Sequence, residues 1–265
     1  MMRETNGFTI VELVTTIVIS GIMLSIFYTA IFSTFKDSAI ANKEIRATTD
    51  IKRAFSVLSE DTVLTSQFRI SVPAVYQDVY GPHRLGTSGA QAWSYVGDSA
   101  NSRVLILENY ATTQNSGGSN RRPVYINSAS FNCTTTITSQ PKLTYIAIFF
   151  VYQQTLYKRT LIDTSKSLCS GLAQYQLRTC PPDLYSSWNA LCQARDEILA
   201  TNVSKFQVSY YQSGTVLGGT LTAGQYTSSD PNVLQSANIA EVTIEENFAG
   251  LEAPINIKQN FTRIN

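Results

Sequence analysis

Histidine is almost missing from this sequence: His83 is the single imidazole in 265 residues. No histidine cluster can complete a metal site, and any hydrolytic triad would have to use that one base. Charge is scarce too, at 15% of residues, and balanced, with 20 Lys and Arg against 19 Asp and Glu for a formal net charge of +1. Such a chain has no overall field to draw in nucleic acid or an anionic membrane surface. C-x-x-C pairs are absent, which argues further against zinc, as are G-x-S-x-G, H-E-x-x-H and a Gly-rich phosphate loop ending in Lys. No metal, cofactor or enzymatic activity is expected. What the chain does have is 43% hydrophobic residues, enough for a sizeable core. Its polarity comes largely from Ser, Thr, Asn and Gln, as in residues 112–120 and 224–232, which fits an exported protein.

Four cysteines, Cys133, Cys169, Cys180 and Cys192, fall within 60 residues. An even count in an exported region predicts one or two disulfides, with three complete pairings open. Free buried thiols are the alternative.

The apolar residues are unevenly placed. Residues 1–7, MMRETNG, are polar; residues 8–35 then form a 28-residue run of apolar and small residues in which Glu12 is the only charge. Residues 13–35 alone would make roughly 35 Å of helix, enough to cross a hydrocarbon core of about 30 Å once. Three explanations compete: a cleaved secretory signal peptide, a plain membrane anchor, and a targeting segment whose apolar part stays in the mature chain. A signal peptide has an apolar run of about 7–15 residues behind a basic stretch, ending at small residues spaced A-x-A. This run is far longer, Arg3 is offset by Glu4, and nothing after Ser25 looks like that cleavage site. A plain anchor leaves Glu12 without a reason, since a carboxylate in the bilayer costs about 3 kcal/mol on insertion scales. Cleavage after Gly7 would supply one. The new α-amine of Phe8 is disfavoured at a helix N-terminus by the macrodipole, and a carboxylate one turn on neutralises it.

These residues carry a resemblance. GFTIVEL at 7–13 is similar to the cleavage and methylation motif of type IV pilins and of the pseudopilins of type II secretion. It has a small residue before the cut, Phe after it, an acid fifth in the mature chain, a short polar leader and a following apolar run. The resemblance implies that residues 1–7 are a leader peptide and that a prepilin peptidase recognises Gly7, cuts before Phe8 and methylates the freed amine. It also implies that Glu12 pairs with the N-terminal amine of another subunit as subunits leave the membrane, through an inner-membrane assembly platform, for the filament. Elementary electrostatics agrees, because two unlike charges stored in lipid are best satisfied by each other.

Within the run, Gly21, Ser25, Thr29 and Ser33 recur every four residues. They make a small-residue ridge of the kind that lets helices approach closely, although small and β-branched residues are common in membrane helices anyway. Beyond Phe35 the helical pattern continues with no proline until Pro73 and no glycine until Gly81, predicting one transmembrane and stalk helix over residues 8–65. Ile45, Thr48, Ile51, Phe55, Leu58 and Thr62 advance by three or four and mark a stripe for a head to cover. Five basic and five acidic residues over 36–64 dress the remainder.

Residues 66–265 read as a β-rich globular head, giving an α+β fold in which the long N-terminal helix packs on mainly antiparallel sheet. Strands are predicted at 104–110, 143–152, 155–162, 203–211, 239–245 and 255–261, with a hairpin turning near Gln153. Phe206, Val208 and Tyr210 fall on one face, as do Val242 and Ile244, consistent with one side packed and one in water. Residues 186–200 are expected to form a short helix with Trp188, Leu191, Cys192, Arg195, Ile198 and Leu199 on one side. Residues 112–120 and 213–230 read as exposed loops.

The stalk end RAFSVLSED, the hairpin LYKRTLI and the strand NVSKFQVSYY are also similar in order to the larger, J-like minor pilins and pseudopilins. Major pilins commonly close a disulfide loop near the C-terminus, whereas no cysteine here follows Cys192. The expected function is therefore that of a minor subunit that initiates or caps a filament together with other pilin or pseudopilin subunits. It would be stored in the cytoplasmic membrane with its head outside and then carried into an extracellular filament at the cell surface. The alternative is a binding role, as a tip adhesin or a DNA-uptake subunit. Arg121 and Arg122 behind a Gly/Ser loop are the nearest approach to a phosphate contact, though paired loop arginines are usually only solvated. Gly97-Asp98-Ser99 resembles the nucleophile turn of one esterase class, but that chemistry needs a downstream histidine and His83 lies upstream.

Overall fold

The computed structural model describes residues 9–69, 71–76, 78, 80–81, 93, 104–115, 120–127, 133, 140–182, 192–212, 215–216, 237–248 and 253–263. The chain divides into two compact units, one ending at Arg46 and the other beginning at Ala47. Helix α1 (Ile10–Val63) contributes to both. It contains one glycine, Gly21, and no proline in 54 residues, so nothing in its sequence removes a backbone hydrogen bond.

In the second unit, α1 buries Ala47, Ile51, Ala54, Phe55, Leu58, Asp61 and Thr62. The expected stripe holds from Ile51 onward, but its start needs correcting: Ile45 is 64% exposed, and Ala47 opens the buried face instead. Helical geometry explains this, because at 3.6 residues per turn Ile45 sits about 120° round the axis from Ile51. Ala47 and Ala54 lie one turn before and one turn after Ile51, and their small side chains let the helix come close.

The expected α+β class holds as a long helix with antiparallel sheets. The strands are β1 (Thr65–Arg69), β2 (Val104–Tyr110), β3 (Thr144–Tyr152), β4 (Thr155–Ile162), β5 (Thr179–Cys180), β6 (Ala194–Arg195), β7 (Glu197–Thr201), β8 (Val203–Gln212), β9 (Thr215–Val216), β10 (Ile239–Glu246) and β11 (Ile255–Thr262). They make a five-stranded sheet in the order β1-β2-β3-β4-β7, a four-stranded sheet in the order β11-β10-β8-β9, and a two-residue parallel pair, β5-β6. Both larger sheets pair antiparallel throughout.

Period-two alternation divides the side chains of β2 and β3 between two cores. Leu105, Leu107, Tyr145, Ala147 and Phe149 join Ile51, Phe55 and Leu58 of α1. Val104, Ile106, Ile146, Ile148 and Phe150 face the other way, against Tyr76 and Trp93. In the four-stranded sheet only one face is buried: Phe206, Val208, Tyr210, Val242 and Ile244 enter the α1 core, as expected. Phe55 meets Phe261 at 5.7 Å between ring centroids, and Phe68 meets Tyr210 at 5.3 Å.

The predicted hairpin turns through Gln153 and Gln154, whose φ angles of 47° and 59° give two left-handed residues in a row. That is the backbone a two-residue turn needs to match strand twist, although Asn-Gly is the more usual sequence. Asn202, also left-handed at φ 57°, is the single residue between β7 of one sheet and β8 of the other. It marks the corner where the chain changes sheets.

The helix expected over 186–200 is not formed in its described part. Residues 192–201 run as extended chain through β6 and β7, with Tyr157 opposite Ile198 and Lys158 opposite Glu197; Trp188 and Leu191 lie outside the described residues. Cys192 and Leu199 are buried while Arg195 and Ile198 are exposed, so no common helical face exists. The override is tertiary, since Cys192 is bonded to Cys180 and Asp196 is held by Arg159.

Arg159 is 1% exposed and is the centre of a buried charge cluster. Its Nη2 lies 2.7 Å from Asp196 Oδ2, and its Nη1 donates to Asp78 Oδ2 at 2.9 Å and to the Gly81 carbonyl at 2.8 Å. Trp93 Nε1 donates to the same Asp78 oxygen at 2.5 Å, and Thr179 Oγ1 donates to Asp196 Oδ1 at 2.7 Å. The guanidinium also lies 5.4 Å from the Trp93 ring centroid and 5.2 Å from that of Phe150. Burial alone would pull Arg159 down, but the two carboxylates more than offset it and the group stands above its ordinary value. With two acids around one cation, Asp196 is pushed up, burial outweighing the help it receives from Arg159 and Thr179.

Candidate functional site

The first unit presents an unusual surface. Every large hydrophobic side chain over residues 10–35 is exposed, from 37% at Ile31 to 82% at Ile10. Burying a side chain of this kind contributes about 1.5–3 kcal/mol, so leaving the whole set in water would forgo tens of kcal/mol. α1 is long and apolar enough to cross a membrane, and none of its most apolar stretch is covered by the chain itself.

Five hydroxyls of that stretch are satisfied locally. Thr15 Oγ1 donates to the Val11 carbonyl at 2.9 Å, Thr16 Oγ1 to Glu12 at 2.8 Å, and Thr29 Oγ1 to Ser25 at 2.8 Å. Ser33 Oγ and Thr34 Oγ1 both donate to the Ala30 carbonyl at 2.9 Å. Hydroxyls bonded back to their own helix need no water, which is the condition lipid imposes. Gly21, Ser25, Thr29 and Ser33 all lie on exposed helix, and a Cβ added at Gly21 would meet nothing within 4 Å. The ridge is therefore open to a partner, without one being present.

Glu12 sits in the first turn of α1 and is not bare. Its Oε2 accepts from the Thr9 backbone N–H at 3.0 Å and from Thr9 Oγ1 at 2.9 Å, while its own N–H donates to Thr9 Oγ1 at 3.3 Å. This is a capping box, T-x-x-E, in which two end groups of the helix are satisfied reciprocally. The signature is complete in the sequence as Thr9 and Glu12, although the ion-pair reading of Glu12 does not use it. Gly7 and Phe8 lie outside the described residues.

The four cysteines pair as Cys133–Cys169 and Cys180–Cys192, with Cα atoms 5.5 and 5.3 Å apart. Closing loops of these lengths stabilises a domain by roughly 4 and 3 kcal/mol through the unfolded chain. Among the described residues no group of three or more His, Cys, Asp or Glu is placed to hold a metal ion. His83 and Gly97-Asp98-Ser99 lie outside the described residues.

In the second unit, a half-open cleft of about 340 Å³ lies beside the C-terminal end of α1. Asp61 and Lys158 are part of its lining, with Lys158 Nζ 2.7 Å from Asp61 Oδ2. Tyr145 donates to Asp61 Oδ1 at 3.4 Å and accepts from Asn109 Nδ2 at 3.2 Å. Burial, chiefly, pushes the Tyr145 hydroxyl well above the usual phenol range. Arg121 belongs to the lining and donates from Nε to Thr112 Oγ1 at 3.4 Å, whereas Arg122 uses its backbone N–H on Thr113 Oγ1. The two arginines thus do not act as a pair. No sequence signal announced the cleft, since its walls come from residues up to 119 positions apart, Glu60 and Thr179 being the extremes.

No protein-family model matches the chain, and no curated protein matches it.

Proposed function

We propose that the chain is a type IV pilin-like subunit, a minor pilin or pseudopilin without catalytic activity, that is cut between Gly7 and Phe8 and assembles into an extracellular filament. The observation that carries this is the exposed apolar stretch of α1 with a single carboxylate, Glu12, in its first turn and five residues after Gly7. Lipid would cover that surface during storage in the cytoplasmic membrane, and the corresponding helices of neighbouring subunits would cover it in the filament. The small residues from Gly21 to Ser33 fit the second environment, and the internally bonded hydroxyls fit both.

The capping box sharpens the role of Glu12. Thr9 satisfies two of its hydrogen bonds but leaves its charge uncompensated, and the amine of a neighbour's processed N-terminus is the natural counter-ion. The Thr9 N–H survives a cut after Gly7, so both interactions coexist. Traffic through a prepilin peptidase and an inner-membrane platform follows from the similarity of residues 7–13, whereas the J-like subgroup and a place at the filament start or tip rest on the order of the stalk end, hairpin and strand.

Intact mass spectrometry of the chain co-expressed with a prepilin peptidase tests the proposal. A mass beginning at methylated Phe8, lost in Gly7→Arg, is expected; retention of Met1 or Met2 on the wild type overturns it. Glu12→Gln then separates two roles, because Gln keeps a capping box and discards the charge. Filaments made by Glu12→Gln but not by Glu12→Ala would reduce Glu12 to a cap; failure of both is expected.

A further inference from the structure

Beyond filament assembly, we propose that the cleft beside the end of α1 is a binding site for a neutral saccharide. Its volume of about 340 Å³ is at the small end of the range of ligand pockets, which runs from about 300 to 1,000 Å³. The lining holds two carboxylates, Glu60 and Asp61, and two cations, Arg121 and Lys158. The lining therefore has no excess charge for a phosphate or a metal ion, and Lys158 is already engaged by Asp61 at 2.7 Å. A charged ligand would have to break that pair, with the desolvation cost that follows.

The lining offers groups that exchange hydrogen bonds with hydroxyls. Carboxylates accept, the guanidinium donates in a plane, and the Thr160 hydroxyl does both, whereas Thr179 gives its one proton to Asp196 and can only accept. Beside them stand the side chains of Tyr175, 54% exposed, and Leu177, 39% exposed. A sugar ring has the matching two-sided chemistry, with a C–H face that lies on an aromatic or aliphatic surface and an edge of hydroxyls. The Tyr175 wall is held before any ligand arrives. Its N–H donates to the Thr112 carbonyl at 2.7 Å, and the Gln176 side chain accepts from the Thr112 N–H and donates to Thr112 Oγ1, both at 3.0 Å. Such preorganisation lowers the cost of binding.

The site belongs to the second unit alone and is independent of whether Gly7 is cut, so the test uses the unprocessed full chain. It is kept in a zwitterionic detergent, since sugar-headed detergents would compete. The probes are neutral glucose, galactose and N-acetylglucosamine trisaccharides on an array, followed by ligand-observed NMR, with sialylated and sulfated trisaccharides and a peptide library alongside. At least one neutral trisaccharide should bind, with affinity flat between about 50 and 500 mM NaCl. Tyr175→Ala should weaken it about tenfold, while Tyr175→Trp retains it. Arg121→Gln, a second variant on the rim, should weaken it about threefold. The proposal is overturned by no neutral trisaccharide binding at about 10 mM, by binding indifferent to both Tyr175→Ala and Arg121→Gln, by salt-sensitive binding of acidic sugars alone, or by a Tyr175-dependent peptide with no sugar.

Discussion

Residues 10–35 of α1 and residues 47–63 of the same helix use similar side chains to opposite ends. In the first stretch isoleucine, leucine and phenylalanine are all exposed; in the second, Ile51, Phe55 and Leu58 are buried, and even Asp61 is only 6% exposed. Hydrophobicity does not decide burial by itself. What decides is whether the chain supplies a surface to meet the side chain, and sheet residues such as Leu107, Phe149 and Phe206 do so only for the second stretch. The first must find its apolar surroundings elsewhere.

One substitution made twice tests that contrast most severely. Ile51→Asp places a carboxylate in the dry core and should remove more than about 4 kcal/mol, abolishing the cooperative melt of the full chain in micelles followed by near-UV circular dichroism. Ile22→Asp should leave that melt unchanged and instead lower the inserted fraction in vesicles by an insertion cost of about 3 kcal/mol. Equal effects on the melt would dissolve the comparison.

A somewhat smaller loss is expected from Arg159→Met, which strands Asp78 and Asp196 without their cation and should cost about 3–5 kcal/mol in the same melt, with no change in vesicle insertion. The loss should also depend on pH. Asp196 already stands above its ordinary value, and removing Arg159 raises it further. A carboxyl held above its unfolded pKa favours the folded state while protonated and stops doing so as pH rises through the raised value, so the deficit should be larger at about pH 7 than at about pH 4. The smallest effect belongs to Thr9→Ala. Loss of the cap should cost about 1 kcal/mol, visible as faster amide exchange in the first turn of α1 and not as a shift of the melt.

Much of this architecture can be read from local pattern. Runs such as VLILENY, TLYKRTLI and IAEVTIEE are rich in β-branched and aromatic residues, and the structure places strands on them within a residue or so of the expected bounds. The long helix is legible because glycine and proline are nearly absent from it. β7 departs from the expected helix because Leu191, Cys192, Arg195, Ile198 and Leu199 also satisfy a helical spacing, and only the Cys180 bond and the Arg159 contact, 12 and 37 residues away, decide between the two. β1 is not among the expected strands and only Thr65 of it falls in the expected stalk, since TSQFR has no strong preference of its own and is fixed by pairing with β2, with Arg69 bonded to Glu108. The burial of Asp61 and the charge cluster around Arg159 leave no local trace, because each depends on partners far along the chain.

The two disulfides close separate loops, over residues 133–169 and 180–192, with neither inside the other. A protease that cuts the backbone once within either loop therefore leaves the two fragments tied together. On a non-reducing gel the nicked chain would migrate with the intact one, and only a reductant would reveal the break. Such a cut damages the molecule without severing the chain that follows it from the helix that precedes it.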